Sequence, residues 1–221
     1  MFRRLLVLLI AIVLLGGCRS KSEKAAPAAE SAPVAGTPGN PAAQPIAAAY
    51  SEPPTFDVGL SVEQAYAAIP HRRTVWDENN STAPAEEKTY LKVIFEVIDQ
   101  GVAVRVAGQQ NFSSQQFDRV NAASDYDQLI TFARGMPVPG PLAAYHQKIL
   151  TGLTGQQQFF ADWMAEREQF KYAQQIANHL GVRSASAALR AAYNELMAKY
   201  PNESASNKDA FFDYHCALDF L

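Results

Sequence analysis

Two short stretches concentrate the residue types that do chemistry. His71-Arg72-Arg73 follows Pro70 and is trailed closely by Asp77 and Glu78. Two guanidinium groups beside an imidazole could hold a carboxylate or a phosphate, because planar guanidinium forks match such anions bidentately. The same cations could instead pair with Asp77, Glu78 or nearby helix ends in a solvated loop. On that reading Trp76 packs as a lid over the core rather than stacking on a ligand. The second stretch is Phe211-Phe212-Asp213-Tyr214-His215-Cys216. A thiolate beside an imidazole is a nucleophile pattern. Adjacent residues on a helix, however, point about 100° apart and do not face each other. Unpaired cysteine is also among the most buried residue types, so Cys216 is expected in the core.

Other chemistries lack their spacing. His146 and His179 are far apart in the chain, and neither HExxH nor paired CxxC is present to gather a zinc ion. The Glu-x-x-His step of di-iron bundles and the CxxCH of covalent haem are also missing. No Gly-rich phosphate loop or GxSxG elbow occurs, and the spacing of Glu166 and Glu168 puts them on different faces of a helix. No metal ligand, cofactor or catalytic residue is therefore assigned. The leading expectation is a non-enzymatic interaction module with an envelope protein partner. The alternative is a periplasmic binder of a small molecule or cofactor, using His71, Arg72, Arg73 and His215. An enzyme of unfamiliar pattern stands third.

The beginning of the chain carries an address. Arg3 and Arg4 precede an unbroken apolar run from Leu5 to Leu15. Roughly 11 residues at about 1.5 Å each are too short to span a hydrocarbon core of about 30 Å. A positive start, a short apolar run and small residues before a cysteine make an export signal. Leu15-Gly16-Gly17-Cys18 resembles the lipobox of bacterial lipoproteins. The resemblance implies removal of residues 1–17, a diacylglyceryl group on Cys18 and usually a further acyl chain on the new amino terminus. Several acyl chains give a stable membrane anchor where one does not. Arg19 stands where aspartate marks inner-membrane retention in the enteric version of this class, which leans toward the outer membrane, facing the periplasm.

From Cys18 to Pro54 alanine, proline, serine and glycine dominate and large apolar residues are nearly absent. Such a stretch cannot offset the entropy of ordering, so 18–54 is expected to be a disordered linker. Extended, about 36 residues reach on the order of 110 Å; as a flexible coil they average roughly 35 Å. Residues 55–221 are expected to form one globular domain. Five of the 19 basic and three of the 22 acidic residues precede Thr55, which leaves 14 against 19 and a domain balance of −5. That modest acidic balance argues against a nucleic-acid partner, since phosphate backbones need a basic face. With Cys18 acylated, Cys216 is expected to have no disulfide partner in the mature chain.

The elements that must position these residues read as helices almost throughout. Ser61 and Gln64 form a capping-box pattern ahead of Val62, Ala65, Tyr66 and Ile69, and Pro70 ends that helix. Pro84 opens a second whose stripe runs from Tyr90 to Val106, with Val102–Val106 as a possible short strand. A third is expected over Gln115–Gly135, with a break near Ser124 and Asp127. A fourth starts at Pro141 and carries Leu142, Tyr145, Ile149, Leu153, Gln156, Phe160 and Trp163 on one side. Gly152 and Gly155 allow a close neighbour there. The next is expected to stop at Gly181, another to begin at Ser184 and close at Pro201, and the last to be capped by Asn207. The expected fold is all-α, an irregular bundle of six to seven helices.

Overall fold

The computed structural model describes residues 50–70, 72–114, 121–166 and 173–220. Among them are seven α-helices and no strand: α1 (Val62–Ala68), α2 (Ala85–Ser114), α3 (Ala122–Gly135), α4 (Ala143–Ala165), α5 (Ala173–Asn178), α6 (Leu180–Lys199) and α7 (Ala205–Leu218). The fold is an all-α bundle. Cys18, His71, Phe117, Val120, Glu168 and Phe170 lie outside the described residues.

The centre of the bundle is α2, a helix of 30 residues and so about 45 Å long. From Tyr90 to Ala107 it is buried on nearly every side, as expected of a helix that is apolar all round. It packs against α1, α3, α4 and α7. Gly101 does not interrupt it, and Val102 and Val104 are both fully buried within the helix. Neighbours on several sides explain this. A strand would offer only two faces and would need a pairing partner, whereas this helix buries consecutive residues against different helices.

Local signals set several boundaries as expected. Ser61 accepts from the Gln64 amide at 3.2 Å while the Gln64 side chain accepts from the Ser61 amide at 2.8 Å. Pro141 sits in a 3-10 turn, Gly140–Leu142, that leads into α4. The whole expected stripe of α4 is buried, Gln156 included.

Three boundaries differ from expectation. The third helix begins at Ala122, because the Asn121 side chain caps it by accepting from the Ser124 amide at 3.2 Å. Ser124 therefore marks a start, and α3 runs unbroken through Asp127. Gly181 does not end a helix. It lies in the first turn of α6, since His179 leaves the helical conformation and its Nδ1 accepts from the Gly181 and Val182 amides at 3.1 and 3.4 Å. This glycine serves packing: a Cβ at Gly181 would meet the Gly155 carbonyl oxygen at 2.6 Å, and one at Gly155 would meet the Gly181 carbonyl oxygen at 2.4 Å. At Gly155 and Gly181 the α4–α6 crossing is thus backbone against backbone, while Gly152 makes room for the Leu189 side chain. Lastly, Ser204 and not Asn207 caps α7, accepting from the Asn207 amide at 3.1 Å. Asn207 is fully buried and makes other contacts.

Packing begins ahead of Thr55. Tyr50 leans on the core, and its hydroxyl donates to the Pro137 carbonyl oxygen at 2.8 Å.

Candidate functional site

The segment from Arg72 to Asp77 forms no regular structure; it is a strap laid over α2 and α7. An extended chain turns successive side chains to opposite sides, and the two arginines differ accordingly. Arg72 is exposed. Arg73 turns in: its Nη2 donates to Asp99 Oδ2 at 2.6 Å, its Nη1 reaches Glu63 Oε1 at 3.2 Å, and its guanidinium lies over the Tyr66 ring. Tyr66 also donates to Asp99 Oδ1 at 3.0 Å. Burial pushes the Asp99 carboxyl upward, against the pull of Arg73. Both oxygens of this nearly buried carboxylate are therefore satisfied within the fold.

Trp76 is the expected lid. It is buried and meets Phe95 edge-on at 5.6 Å, while Phe95 stacks on Tyr214 at 4.5 Å. The Tyr214 hydroxyl, pushed up to about 12 mainly by burial, lies against the backbone of Trp76. The strap is held along α7 by three further side chains. Asp213 accepts from the Thr74 amide at 2.7 Å. Asn207 accepts from the Asp77 amide at 2.9 Å and donates to the Asp77 carbonyl oxygen at 3.0 Å. Glu203, just ahead of α7, accepts from the Thr82 amide at 2.6 Å and from its hydroxyl at 2.7 Å.

His215 belongs to a different part of α7. It is buried, and its Nδ1 donates to the Phe211 carbonyl oxygen at 2.6 Å. Since a carbonyl can only accept, Nε2 is the unprotonated nitrogen and accepts from the Tyr145 hydroxyl at 3.2 Å. Burial pushes this imidazole down to about 4, so it is neutral at neutral pH. Tyr145 meets Tyr90 edge-on, and the Tyr90 hydroxyl lies 2.9 Å from His146 Nδ1. Burial likewise lowers His146. The result is an internal run, His146–Tyr90–Tyr145–His215, linking α4, α2 and α7. Among the described residues, Arg73 and His215 share no hydrogen-bonding or ring partner. The two stretches therefore meet through Asp213 and Tyr214, which hold the strap, while His215 turns to a different side of α7.

The remaining candidates resolve similarly. The His179 ring uses Nδ1 to cap α6 and directs Nε2 to Asp162 at 3.0 Å. Cys216 is half-buried and is disulfide-bonded rather than free. This corrects the expectation of an unpaired core thiol, which rested on lipid consuming the sulfur of Cys18, the only other cysteine in the chain. Among the described residues no group of three or more His, Cys, Asp or Glu is placed to hold a metal ion.

No family model, curated protein or solved structure matches this chain.

Asp99 and Arg105 were not singled out from sequence, and Gln156 was read only as part of the α4 stripe. Asp99 follows Val97 and Ile98 within the apolar stripe of α2, and a carboxylate in such a place needs a cationic partner. Arg105 is a second instance. It is fully buried, donates to the Ala217 carbonyl oxygen at 2.7 Å and to Gln109 at 3.0 Å, and lies over the Phe220 ring. Gln156 donates to the Leu218 carbonyl oxygen and accepts from Tyr126 at 2.8 Å. Together they fasten the end of α7. A charged or amide residue inside an apolar stripe was the signal available for all three.

Proposed function

We propose that this protein is a lipid-anchored component of the bacterial cell envelope, facing the periplasm from the outer membrane. Its helical domain, carried on the 18–54 linker, engages another envelope protein without catalysing a reaction. The observation that carries this reading is how the polar side chains are used. Arg73 is engaged by Asp99, His215 by Tyr145 and Phe211, His146 by Tyr90, and His179 by a helix end and Asp162. Each reactive residue type contributes to holding helices together, and an interaction module needs its side chains for shape rather than turnover. The anchor is supported by Leu15-Gly16-Gly17-Cys18 behind a short apolar run, and the membrane by Arg19 in place of aspartate.

Labelling cells with a palmitate analogue tests the anchor: the wild type takes up label and Cys18→Ser does not. Cross-linking in intact cells tests the partner. A discrete protein adduct on the anchored wild type that is lost on shortening the linker is the expected result. No adduct, together with an unchanged phenotype on linker deletion, sinks the interaction reading.

A further inference from the structure

We infer that the exposed turn between the strap and α2 is a site of N-linked glycosylation. Asn79 is the acceptor, and the donor is an oligosaccharide carried on a polyprenyl pyrophosphate. The inference rests on the proposed export for one thing only: such donors and their transferase meet chains that have crossed the membrane.

The turn carries the acceptor pattern twice. Asparagine, any residue but proline, then serine or threonine occurs as Asn79-Asn80-Ser81 and, one place on, as Asn80-Ser81-Thr82. Each asparagine also has a carboxylate two places before it, Asp77 and Glu78. A charge at that place gives a cationic transferase groove a second hold on the acceptor. A third pattern, Asn202-Glu203-Ser204, has Tyr200 there instead.

The fold decides between the two neighbours. An acceptor must carry a bulky, hydrated group at the surface without displacing packed atoms. Glu78, Asn79 and Asn80 form a 3-10 turn, and all three are exposed. The turn is fixed by atoms that glycosylation of Asn79 leaves alone. Asp77 accepts from the Asn79 backbone amide at 2.9 Å through Oδ1 and from Asn80 Nδ2 at 2.5 Å through Oδ2. Ser81 Oγ accepts from the Ala83 amide at 3.1 Å, and Thr82 is held by Glu203. Asn79 contributes only its backbone: among the described residues no hydrogen bond involves its side-chain amide. The amide that Asn80 spends on Asp77 is thus available on Asn79 to carry sugar in the folded protein. No contact has to open.

The step is a substitution at the sugar. Asn79 Nδ2 bonds to the anomeric carbon, and that carbon's bond to a phosphate oxygen of the donor breaks. Polyprenyl pyrophosphate departs with the electron pair, and Nδ2 gives up one of its two protons to solvent. Nothing is oxidised or reduced.

Mass spectrometry of the full-length protein, purified from the envelope of the cells that naturally make it, is the test. Trypsin cuts after Arg73 and Lys88 to release peptide 74–88, and after Lys199 and Lys208 to release 200–208. The expected result is peptide 74–88 heavier by a whole number of sugar residues, placed on Asn79 by fragmentation, with 200–208 bare. Asn79→Gln should carry no sugar. Ser81→Ala should strip Asn79, whereas Ser81→Thr should keep its sugar. A bare peptide 74–88 from wild-type cells overturns the proposal, as does sugar found on the Ser81 or Thr82 hydroxyl. Sugar on Asn80, in the wild type or in Asn79→Gln, overturns the choice of acceptor. A bare peptide on protein that takes up the palmitate label sinks the glycan alone. Sugar on protein that takes up no label sinks the anchor and leaves export standing, so the two readings fail separately.

Discussion

The side chains that looked most reactive hold charge or a proton in the interior, and their variants should be read through stability. His215 has a folded pKa of about 4 against about 6.5 in an unfolded chain. A depressed folded value means the unfolded state binds the proton first. The stabilisation from neutral His215 is therefore complete above about pH 6.5 and is lost as pH falls toward 4. Roughly 3 kcal/mol is at stake for this group, and His146 adds in the same direction. Urea melts between pH 7 and 4.5 should show a steep loss of stability that is shallower in His215→Gln; an identical slope in the variant contradicts the assignment. The arginines separate in a similar experiment. Arg73→Ala strands the Asp99 carboxylate and should cost about 3 kcal/mol, whereas exposed Arg72→Ala should stay within about 0.5 kcal/mol. Equal effects from the two would mean that Asp99 does not depend on Arg73.

At the scale of elements, small residues decide how close helices come. Gly155→Ala would set a Cβ against the Gly181 carbonyl oxygen at 2.4 Å and Ala185 Cβ at 3.0 Å. Backbone cannot swing aside, so the α4–α6 crossing must open; a loss of about 2 kcal/mol is expected. Gly135→Ala meets nothing within 4 Å and should be stabilising by about 0.5 kcal/mol. Thermal melts of the two variants should move in opposite directions, and a shared sign would refute this account of the crossing. Helix interiors were legible in the sequence because their period reports burial directly: the stripe from Leu142 to Trp163 and the Ser61–Gln64 box are both present as read. Ends were less legible because the same residue types serve two purposes. Gly181 looks like a stop yet provides contact, and Asn207 looks like a cap yet clamps a distant backbone. His179 as a cap had no local signal, since its role depends on Nδ1 being unprotonated. The strap was legible only as Trp76 covering the core, because side chains that grip backbone more than a hundred residues away leave no pattern in neighbouring positions.

At the scale of the whole molecule, the bundle is joined to whatever holds its amino-terminal side, and the proposed lipid and the sulfur at Cys216 compete for one residue. Cys18 is the only other cysteine, and a sulfur bearing a diacylglyceryl thioether cannot also form a disulfide. Thiol titration of denatured, unreduced protein purified from membranes separates the two states. One thiol per chain, with mass added on the peptide that starts at Cys18, is the expected result for the anchored form. No thiol before reduction and two afterwards would overturn the lipid anchor and leave the pairing of Cys216 as the chain's long-range closure.

Among the described residues, the hydrogen bond from Tyr50 to the Pro137 carbonyl oxygen is the first tie between the chain and the bundle. Load that passes it reaches α1, and through Tyr66 and its bond to Asp99 it reaches α2. A pull from the amino-terminal side is therefore borne by the longest helix before it comes to the strap.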